Sequence, residues 1–387
     1  MKLLSIEPTP SPNSMKLNMD ESLPTGIMKT YDRSNYDTAP SYVQHLLDIQ
    51  GVKSVFQTAD FIALDRESKG DWEQILKSAA VVLGGTGSST GEAQSADEES
   101  TSAFGEVLVL LQTFRNIPLQ VRVRAGSDEA RAAMPQRFND AVSRAAANSL
   151  LRERRLDELG VRYGELQEVL DAVIAELDAS YTDERLAALV EAAAADNAAA
   201  EPAAAGSAAA AASVRPPART NEEIAASLSD PDWKHRYAAL QAVQPSMNTL
   251  PLLLRALNDE HVSIRRLATV YIGDIREPEI LPYLYQALED RVPTIRRTAG
   301  DTLSDIGDPA AIPAMIKALS DSNRLVRWRA ARFLYEVGDH TALDALRAAA
   351  NDTEFEIRLQ VNMAIARIES GQEAEGTVWQ QMTRRND

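Results

Sequence analysis

Cysteine is absent from this chain of 387 residues, and histidine occurs only four times. Without thiols the chain can form no disulfide, no thiolate nucleophile and no iron–sulfur cluster on cysteines of its own. None of the histidines has a second histidine three or four residues away: His45, His235, His261 and His340. We therefore expect no metal site and no bound cofactor.

Long apolar runs are missing as well. The first residues, MKLLSIEPTPSP, reach prolines after an apolar stretch that is too short for the core of a signal peptide. No later run approaches the roughly 20 apolar residues that cross a membrane. The sequence therefore predicts a cytoplasmic protein with no membrane partner.

Basic residues are in deficit, with 40 Lys and Arg against 57 Asp and Glu and a net charge of −17. Acidic residues outnumber basic ones both before and after residue 220. This charge repels phosphate backbones and argues against nucleic-acid binding. No two carboxylates share the apolar context typical of general acid–base catalysis, so we expect a non-catalytic binding protein.

Two stretches of low complexity divide the chain. Residues 84–103 are rich in glycine, serine and acids, which predicts a flexible loop, and they lack the lysine that ends a phosphate-binding loop. Residues 196–220 combine alanines with prolines, which predicts an interdomain linker. The segments between them are expected to fold: 1–83, 104–195 and 221–387.

The first segment alternates between strand and helix periodicity. LLSIE and MKLNM predict strands on either side of the Pro8–Ser14 loop, and a helix is predicted over residues 40–50. VKSVFQ and FIALDR predict a hairpin across Thr58–Asp60, and a second helix begins at Asp71. The order ββαββα predicts a small α+β module with helices on one face. The Pro8–Ser14 loop is either a tight strand connection or a lip that binds a peptide.

The middle segment begins with two apolar stretches, EVLVLLQTF and LQVRVRA, which predict strands joined through Asn116–Pro118. The remainder, residues 128–195, is predicted to be amphipathic helix.

The strongest internal signal lies after residue 220, where one template recurs with a period of 31 residues. It carries an aspartate, an arginine six residues after that aspartate, and a small apolar residue nine residues after the same aspartate. The aspartates and arginines that share this pattern are Asp259, Asp290, Asp321, Asp352, Arg265, Arg296, Arg327 and Arg358. Asp230, Arg236 and Ala239 fit the template one unit earlier. About five units of two short helices each are therefore predicted.

Each repeated residue has a structural role that follows from its position. The aspartate precedes a second helix and can cap its free N–H groups, and the arginine can reach the aspartate of a neighbouring unit. We interpret these residues as a structural ladder. The next position carries Arg266, Arg297 and Trp328, and we expect it to open onto a concave face that binds an acidic segment of a partner protein, together with Arg329 and Arg332. The alternative is that Trp328 fills a gap between repeats.

The D-x5-R-x2-A pattern over residues 224–370 resembles HEAT repeats of the short type found in phycobilin lyases and bacterial adaptors. The resemblance implies an all-α solenoid of stacked helix pairs. IEPTPSPNSMKL, LDIQGVKSVFQTADFIAL and Trp72 resemble the N-terminal domain of Nfu-type iron–sulfur scaffold proteins. Those scaffolds hold their cluster on a separate CxxC domain, and this chain has no such pair.

An Nfu-type front, a middle with LDELGVRYG and HEAT repeats at the end are together similar to the conserved virulence factor C family of Gram-positive bacteria. The resemblance implies a protein-binding adaptor or scaffold linked to iron–sulfur cluster assembly or to regulation of virulence factors. An alternative from another class is a HEAT-type lyase or chaperone that acts on a bound cofactor.

Overall fold

The computed structural model describes residues 2–9, 11, 13–22, 28–58, 61–67, 70–84, 105–126, 128–146, 154–199 and 219–372. Its contacts divide the chain into two compact units, and both are discontinuous in sequence. Unit 1 comprises Met1–Glu106, Ala125–Asp128 and Leu334–Asp387, and unit 2 comprises Val107–Arg124 and Glu129–Phe333.

Unit 1 begins with a five-stranded antiparallel sheet and two helices. The strands are β1 Leu3–Pro8, β2 Ser14–Met19, β3 Met28–Tyr31, β4 Val52–Thr58 and β5 Phe61–Arg66, in the spatial order β1-β2-β5-β4-β3. The helices are α1 Ser41–Leu47 and α2 Trp72–Val82. The expected α+β module is confirmed, and β3 is an additional strand that the sequence analysis did not predict. Residues 59 and 60 of the expected hairpin turn, and residues 10 and 12 of the Pro8–Ser14 loop, lie outside the described residues.

Alternation of buried and half-exposed residues builds the core of this module. Along β2 and β5 every second side chain is buried, so each strand presents one apolar face. The buried side chains that meet there include Leu17, Ile62, Leu64, Leu46 and Trp72. Gly51 turns the chain from α1 into β4 with φ of +90°, and a Cβ there would lie 2.8 Å from Cα of Gly70.

The last helix pair, α14 Leu343–Ala349 and α15 Phe355–Glu369, also belongs to unit 1. Phe355 and Leu359 pack against the core of the N-terminal module. Beside them Glu356 forms an ion pair with Arg66 of β5 at 2.6 Å, and both side chains are less than a tenth exposed. Helix α15 therefore completes the N-terminal module with both apolar and charged contacts.

Unit 2 contains most of a second sheet and three helices that precede the repeats. The strands are β6 Glu106–Phe114, β7 Ile117–Ala125, β8 Asp128–Ala133 and β9 Arg154–Tyr163, in the order β8-β7-β6-β9. The helices are α3 Gln136–Ala145, α4 Leu166–Ser180 and α5 Asp183–Ala199. Arg115 and Asn116 form the β6–β7 turn with positive φ angles of 47° and 65°. The prediction that residues 128–195 are amphipathic helix holds for α3, α4 and α5 and is wrong for β8 and β9, which lie in the same range.

The repeats of unit 2 alternate first and second helices. They are α6 Asn221–Ser227, α7 Trp233–Leu240, α8 Leu250–Leu257, α9 Val262–Ile275, α10 Leu281–Leu288, α11 Pro293–Ile306 and α12 Ile312–Ala318. The next helix is α13 Arg324–Glu336, of which residues 324–333 belong to unit 2. Ala268, Ala299 and Ala330, at the ninth template position, are fully buried. Gly273 of α9 faces Thr302 of α11 so closely that a Cβ would lie 2.0 Å from Cγ2 of the threonine. Small residues thus set the spacing between second helices.

Most of the expected loop 84–103 and of the expected linker 196–220 lies outside the described residues. None of the helices in the described residues is both long and apolar enough to cross a membrane.

Candidate functional site

Successive repeats are joined by ion pairs between the arginine of one unit and the aspartate of the next. Three such pairs occur in unit 2, with Nε–Oδ2 distances of 2.8, 2.7 and 2.6 Å: Arg236–Asp259, Arg265–Asp290 and Arg296–Asp321. In each pair Nη2 makes a second hydrogen bond to the same carboxylate. All six side chains are at most 13% exposed, so these arginines connect repeats and are not open to a partner.

Each ladder arginine also holds the turn before its own helix. Nη1 of Arg265 donates to the carbonyl oxygens of Asp259 and Glu260, both at 2.9 Å. The aspartate that receives Arg265, Asp290, accepts a backbone N–H from Val292 at 2.8 Å. Carboxylate, guanidinium and backbone therefore satisfy one another at each junction.

Arg327 and Arg358 hold their own turns in the same way. Nη1 of Arg327 donates to the carbonyl oxygen of Asp321 at 3.0 Å, and Nη1 of Arg358 donates to that of Asp352 at 2.9 Å. Asp352 accepts the backbone N–H of Glu354 at 2.9 Å. The template residues are thus engaged with the backbone of their repeats.

The seventh template position does not open onto an empty face in unit 2. Arg266 of α9 donates through Nη2 to Oε2 of Glu176 on helix α4 at 2.9 Å, and through Nε to Oε1 at 3.3 Å. Arg162 of β9 binds the same carboxylate at 3.0 Å. Glu176 is 6% exposed, so the chain supplies its own acidic helix to the position where a partner's acidic segment was expected.

Arg297 lies deeper in the same region. Its side chain is 3% exposed, and its Nε lies 3.0 and 3.1 Å from the two carboxylate oxygens of Asp301. Nη1 donates to the carbonyl oxygen of Leu325 at 2.8 Å, and the guanidinium lies 4.1 Å from the ring centroid of Tyr163. Burial lowers the pKa of Arg297, and Asp301 opposes that effect.

Trp328, Arg329 and Arg332 lie on α13. Trp328 is 2% exposed, and the guanidinium groups of Arg297 and Arg329 both lie 5.2 Å from its ring. Arg329 forms an ion pair with Asp301 at 2.6 Å, and Arg332 is 5% exposed. The expectation that these side chains are open to a partner is not met, because unit 2 buries them among its own residues.

Helix α4 is held by two acidic side chains. Glu176 meets Arg266 and Arg162, and Asp178 forms ion pairs with Lys234 of α7 at 2.5 Å and with Arg137 of α3 at 2.8 Å. Burial by itself would raise the pKa of both carboxyl groups, but the charges and hydrogen bonds of their basic partners outweigh it. The pKa of each therefore lies below its ordinary value, and both are carboxylates at neutral pH.

Sequence reasoning did not single out Glu176 and Asp178. A signal exists for Glu176, because Val169, Val173 and Glu176 share one side of α4 at helical spacing and both valines are buried. A glutamate on the apolar side of a helix needs a basic partner in the fold. In the described residues, no group of three or more histidine, aspartate or glutamate side chains is arranged to hold a metal ion.

Full-length relatives decide the family. The chain is 50% identical over 385 residues to "Uncharacterized protein YpgR" of Bacillus subtilis, covering 99% of this chain and 98% of that protein. It is 45% identical over 388 residues to "Conserved virulence factor C" of Staphylococcus aureus strain MRSA252, covering both chains completely. The chain belongs to the conserved virulence factor C family. Three family models each match a part of this chain. They are "Scaffold protein Nfu/NifU N terminal" at 4–89, "Virulence factor" at 112–190 and "HEAT repeats" at 221–300 and 281–366.

Solved structures resemble parts of this chain. The crystal structure of protein SAV1430 from Staphylococcus aureus is 36% identical and covers 21% of this chain and 98% of its own, with a TM-score of 0.20. The complex of CpcE and CpcF of phycocyanin lyase from Nostoc is 21% identical and covers 44% of this chain and 71% of its own, with a TM-score of 0.33. Human deoxyhypusine hydroxylase is 22% identical, covering 39% and 62%, with a TM-score of 0.29.

Proposed function

We propose that the chain is a non-catalytic scaffold whose second helices bind an acidic helix of a partner protein. The observation that carries the proposal is the way α4 is held within unit 2. Arg266 and Lys234, on the second helices of two successive repeats, bind Glu176 and Asp178 of one helix. This face of the repeats thus has the charge and spacing to hold an acidic helix.

A partner helix competes with α4 for the same two basic side chains. Lys234 is 43% exposed and is reached directly from solvent, whereas Arg266 is 15% exposed and becomes accessible when α4 opens. Asp178 and Glu176 are 10% and 7% exposed and become solvated when α4 leaves. When one acidic helix is exchanged for another, each ion pair is replaced by an equivalent one. The free-energy cost of the exchange is then that of opening α4 locally.

The similarity of the N-terminal module to Nfu-type proteins indicates which class of partner the scaffold binds. It matches the N-terminal part of Nfu-type scaffold proteins over residues 4–89. A chain that joins such a module to protein-binding repeats suits an adaptor that brings a component of iron–sulfur cluster assembly to a second protein. The name of the Staphylococcus aureus relative favours regulation of virulence factors as the process that this adaptor serves.

Three variants test whether the α4 face binds partners. Glu176→Gln combined with Asp178→Asn weakens the hold on α4, whereas Arg266→Glu combined with Lys234→Glu reverses the charge of the face. The matched control is Lys317→Glu with Arg347→Glu, since these side chains lie on first helices and are 71% and 54% exposed. Melting curves establish that each variant folds.

The probe is a labelled synthetic peptide that spans residues 165–181, the helix α4 with its ends. We expect the Glu176→Gln, Asp178→Asn protein to bind this peptide at least about tenfold more tightly than wild type, because its own α4 competes less well. The charge-reversed protein should not bind it, and the control should match wild type. Equal peptide binding by the folded charge-reversed protein and the wild type would refute this face as the site.

Affinity capture from native extract with the same proteins then identifies the partner. Proteins that increase with the α4-weakened variant and disappear with the charge-reversed variant are ligands of the face. If those proteins include no component of iron–sulfur cluster assembly, the assignment to that process is wrong, while the binding mode stands on the peptide result.

A further inference from the structure

Strand β9 forms an edge of the second sheet. Among the strands of the described residues, the spatial order β8-β7-β6-β9 pairs β9 with β6 on one side only. Its first six residues, Arg154–Leu159, are all exposed, and the leucines at 156 and 159 are 47% and 50% exposed. An edge strand with exposed side chains on both faces is a template for pairing with another strand.

The charges of this strand are complementary to themselves when the strand is reversed. Residues 154–158 read Arg-Arg-Leu-Asp-Glu. If a second copy pairs antiparallel with Leu156 opposite Leu156, Arg154 faces Glu158 of the second copy and Arg155 faces Asp157 of the second copy. Four opposite-charge pairs and one leucine pair result, and no like charges face each other directly.

The alternation of side chains agrees with this register. Residues 155 and 157 lie on one face of the strand, and residues 154, 156 and 158 lie on the other. Directly opposed residues of an antiparallel pair share a face, so every proposed pair is sterically consistent. Among the described residues, none of the four charged side chains forms an ion pair within the chain, and all four are exposed.

The opposite edge of the sheet lacks this property. Strand β8 carries one arginine, Arg131, against Asp128 and Glu129, so no antiparallel register gives it four opposite-charge pairs. Glu129 is in addition bound by Arg124 at 2.6 Å. The self-complementary pattern is therefore specific to β9.

We propose that two copies of this chain associate through antiparallel pairing of β9 with β9 about a two-fold axis at Leu156. The two four-stranded sheets then form one continuous sheet of eight strands. The interface is isologous, because each copy contributes the same five residues. Since the strand pair is short and its ion pairs are exposed, the dimer is weak and dissociates as the salt concentration rises.

Charge-swapped variants test both the association and its register. Arg154→Glu with Arg155→Glu makes every charged residue of the segment 154–158 acidic, and Asp157→Arg with Glu158→Arg makes every charged residue of this segment basic. Each variant alone faces like charges across the two-fold axis. We expect each to self-associate at least about tenfold more weakly than wild type in sedimentation at low salt, a change that corresponds to about 1.4 kcal/mol.

Mixing the acidic and basic variants is the decisive measurement. In the antiparallel register each acidic position of one variant meets a basic position of the other, so the mixture should form a heterodimer at least as stable as the wild-type dimer. The variant with all four substitutions in one chain restores self-complementarity and should form a homodimer again. Melting curves, which these exposed substitutions should leave unchanged, show that loss of association is not loss of folding.

Three results would overturn the proposal. The wild type is monomeric at all concentrations in low salt, or its dimer survives both charge-swapped variants, or the mixed variants fail to associate although each is folded. The first result excludes the dimer, the second places the interface elsewhere, and the third excludes this register.

Discussion

Arg265 and Asp290 are joined across two successive repeats by two hydrogen bonds, of 2.7 Å from Nε to Oδ2 and 3.2 Å from Nη2 to Oδ1. The same guanidinium holds two carbonyl oxygens of the turn before its own helix. One side chain therefore fixes both the start of its helix and the position of the next repeat.

Arg265→Ala should lower the free energy of unfolding by about 3 kcal/mol, because it removes two hydrogen bonds from a mostly buried carboxylate and the side-chain donor of two carbonyl groups. Chemical denaturation measures the change. Lys317→Ala is the control, since the ion pair between Lys317 and Glu289 is exposed and its loss should change stability by less than about 1 kcal/mol. Equal effects of the two substitutions would show that the ladder contributes no more than a surface ion pair.

Gly273→Ala should destabilise the repeats by about 1–3 kcal/mol, since the new Cβ would lie 2.0 Å from Cγ2 of Thr302. Thr302→Ser removes that methyl group. In the double variant the loss of stability should therefore be smaller than in Gly273→Ala alone. Additive losses in a double-mutant cycle would contradict the close packing of α9 on α11.

The stability of the repeats should decrease as the pH falls through about 6.5, because His261 binds a proton less readily in the fold than in the unfolded chain. Burial lowers the pKa of His261, its ring is stacked 3.7 Å from Trp233, and its Nδ1 accepts the backbone N–H of Ser263. A histidine with a lowered folded pKa stabilises the fold fully above its unfolded pKa, and this contribution is lost as protons bind the unfolded chain. Denaturation of wild type and His261→Asn at several pH values measures it. The variant should lack this part of the pH dependence.

The hold on α4 should weaken at more acid pH, below about 4. The folded pKa values of Glu176 and Asp178 lie below their ordinary values, so their contribution is present above the unfolded pKa and lost as pH falls toward the folded one. Proteolysis or hydrogen exchange of residues 166–180 should increase over that range in wild type. In Glu176→Gln with Asp178→Asn, α4 should be accessible already at neutral pH and change little with acid. Equal protection of α4 in both proteins at neutral pH would contradict the role of the carboxylates.

The repeats could be predicted from the sequence because their period is visible directly in the order of residues along the chain. A spacing of 31 residues places each arginine at the same angle in its helix, and the backbone direction then points it to a neighbouring turn. The α+β module was accessible through alternating residues such as those of β2 and β5. Strand β9 was missed because RRLDELGVRY contains mostly exposed residues, and its apolar alternation extends only over Leu159, Val161 and Tyr163.

The burial of Arg297 and Trp328 could not be read from the repeats alone. Helical spacing gives the direction of these side chains, but not which other segment of the chain covers that direction. Tyr163 of β9 covers Arg297, and Glu176 of α4 binds Arg266 at the equivalent position of the preceding repeat, and both lie far away in sequence. Contacts of this kind depend on tertiary packing, and a single sequence shows them only as a glutamate on an apolar face of α4.

The ion pair between Arg66 and Glu356 has a consequence for synthesis of the chain. A ribosome completes β5 long before it reaches α15, so Arg66 emerges without its counter-ion and the apolar contacts of Phe355 and Leu359 are still missing. The N-terminal module therefore completes its folding only after α14 and α15 have been translated, whereas domains usually fold in the order in which they are translated. A premature stop codon in the repeat of α14 and α15 would accordingly destabilise the N-terminal module, which is translated much earlier.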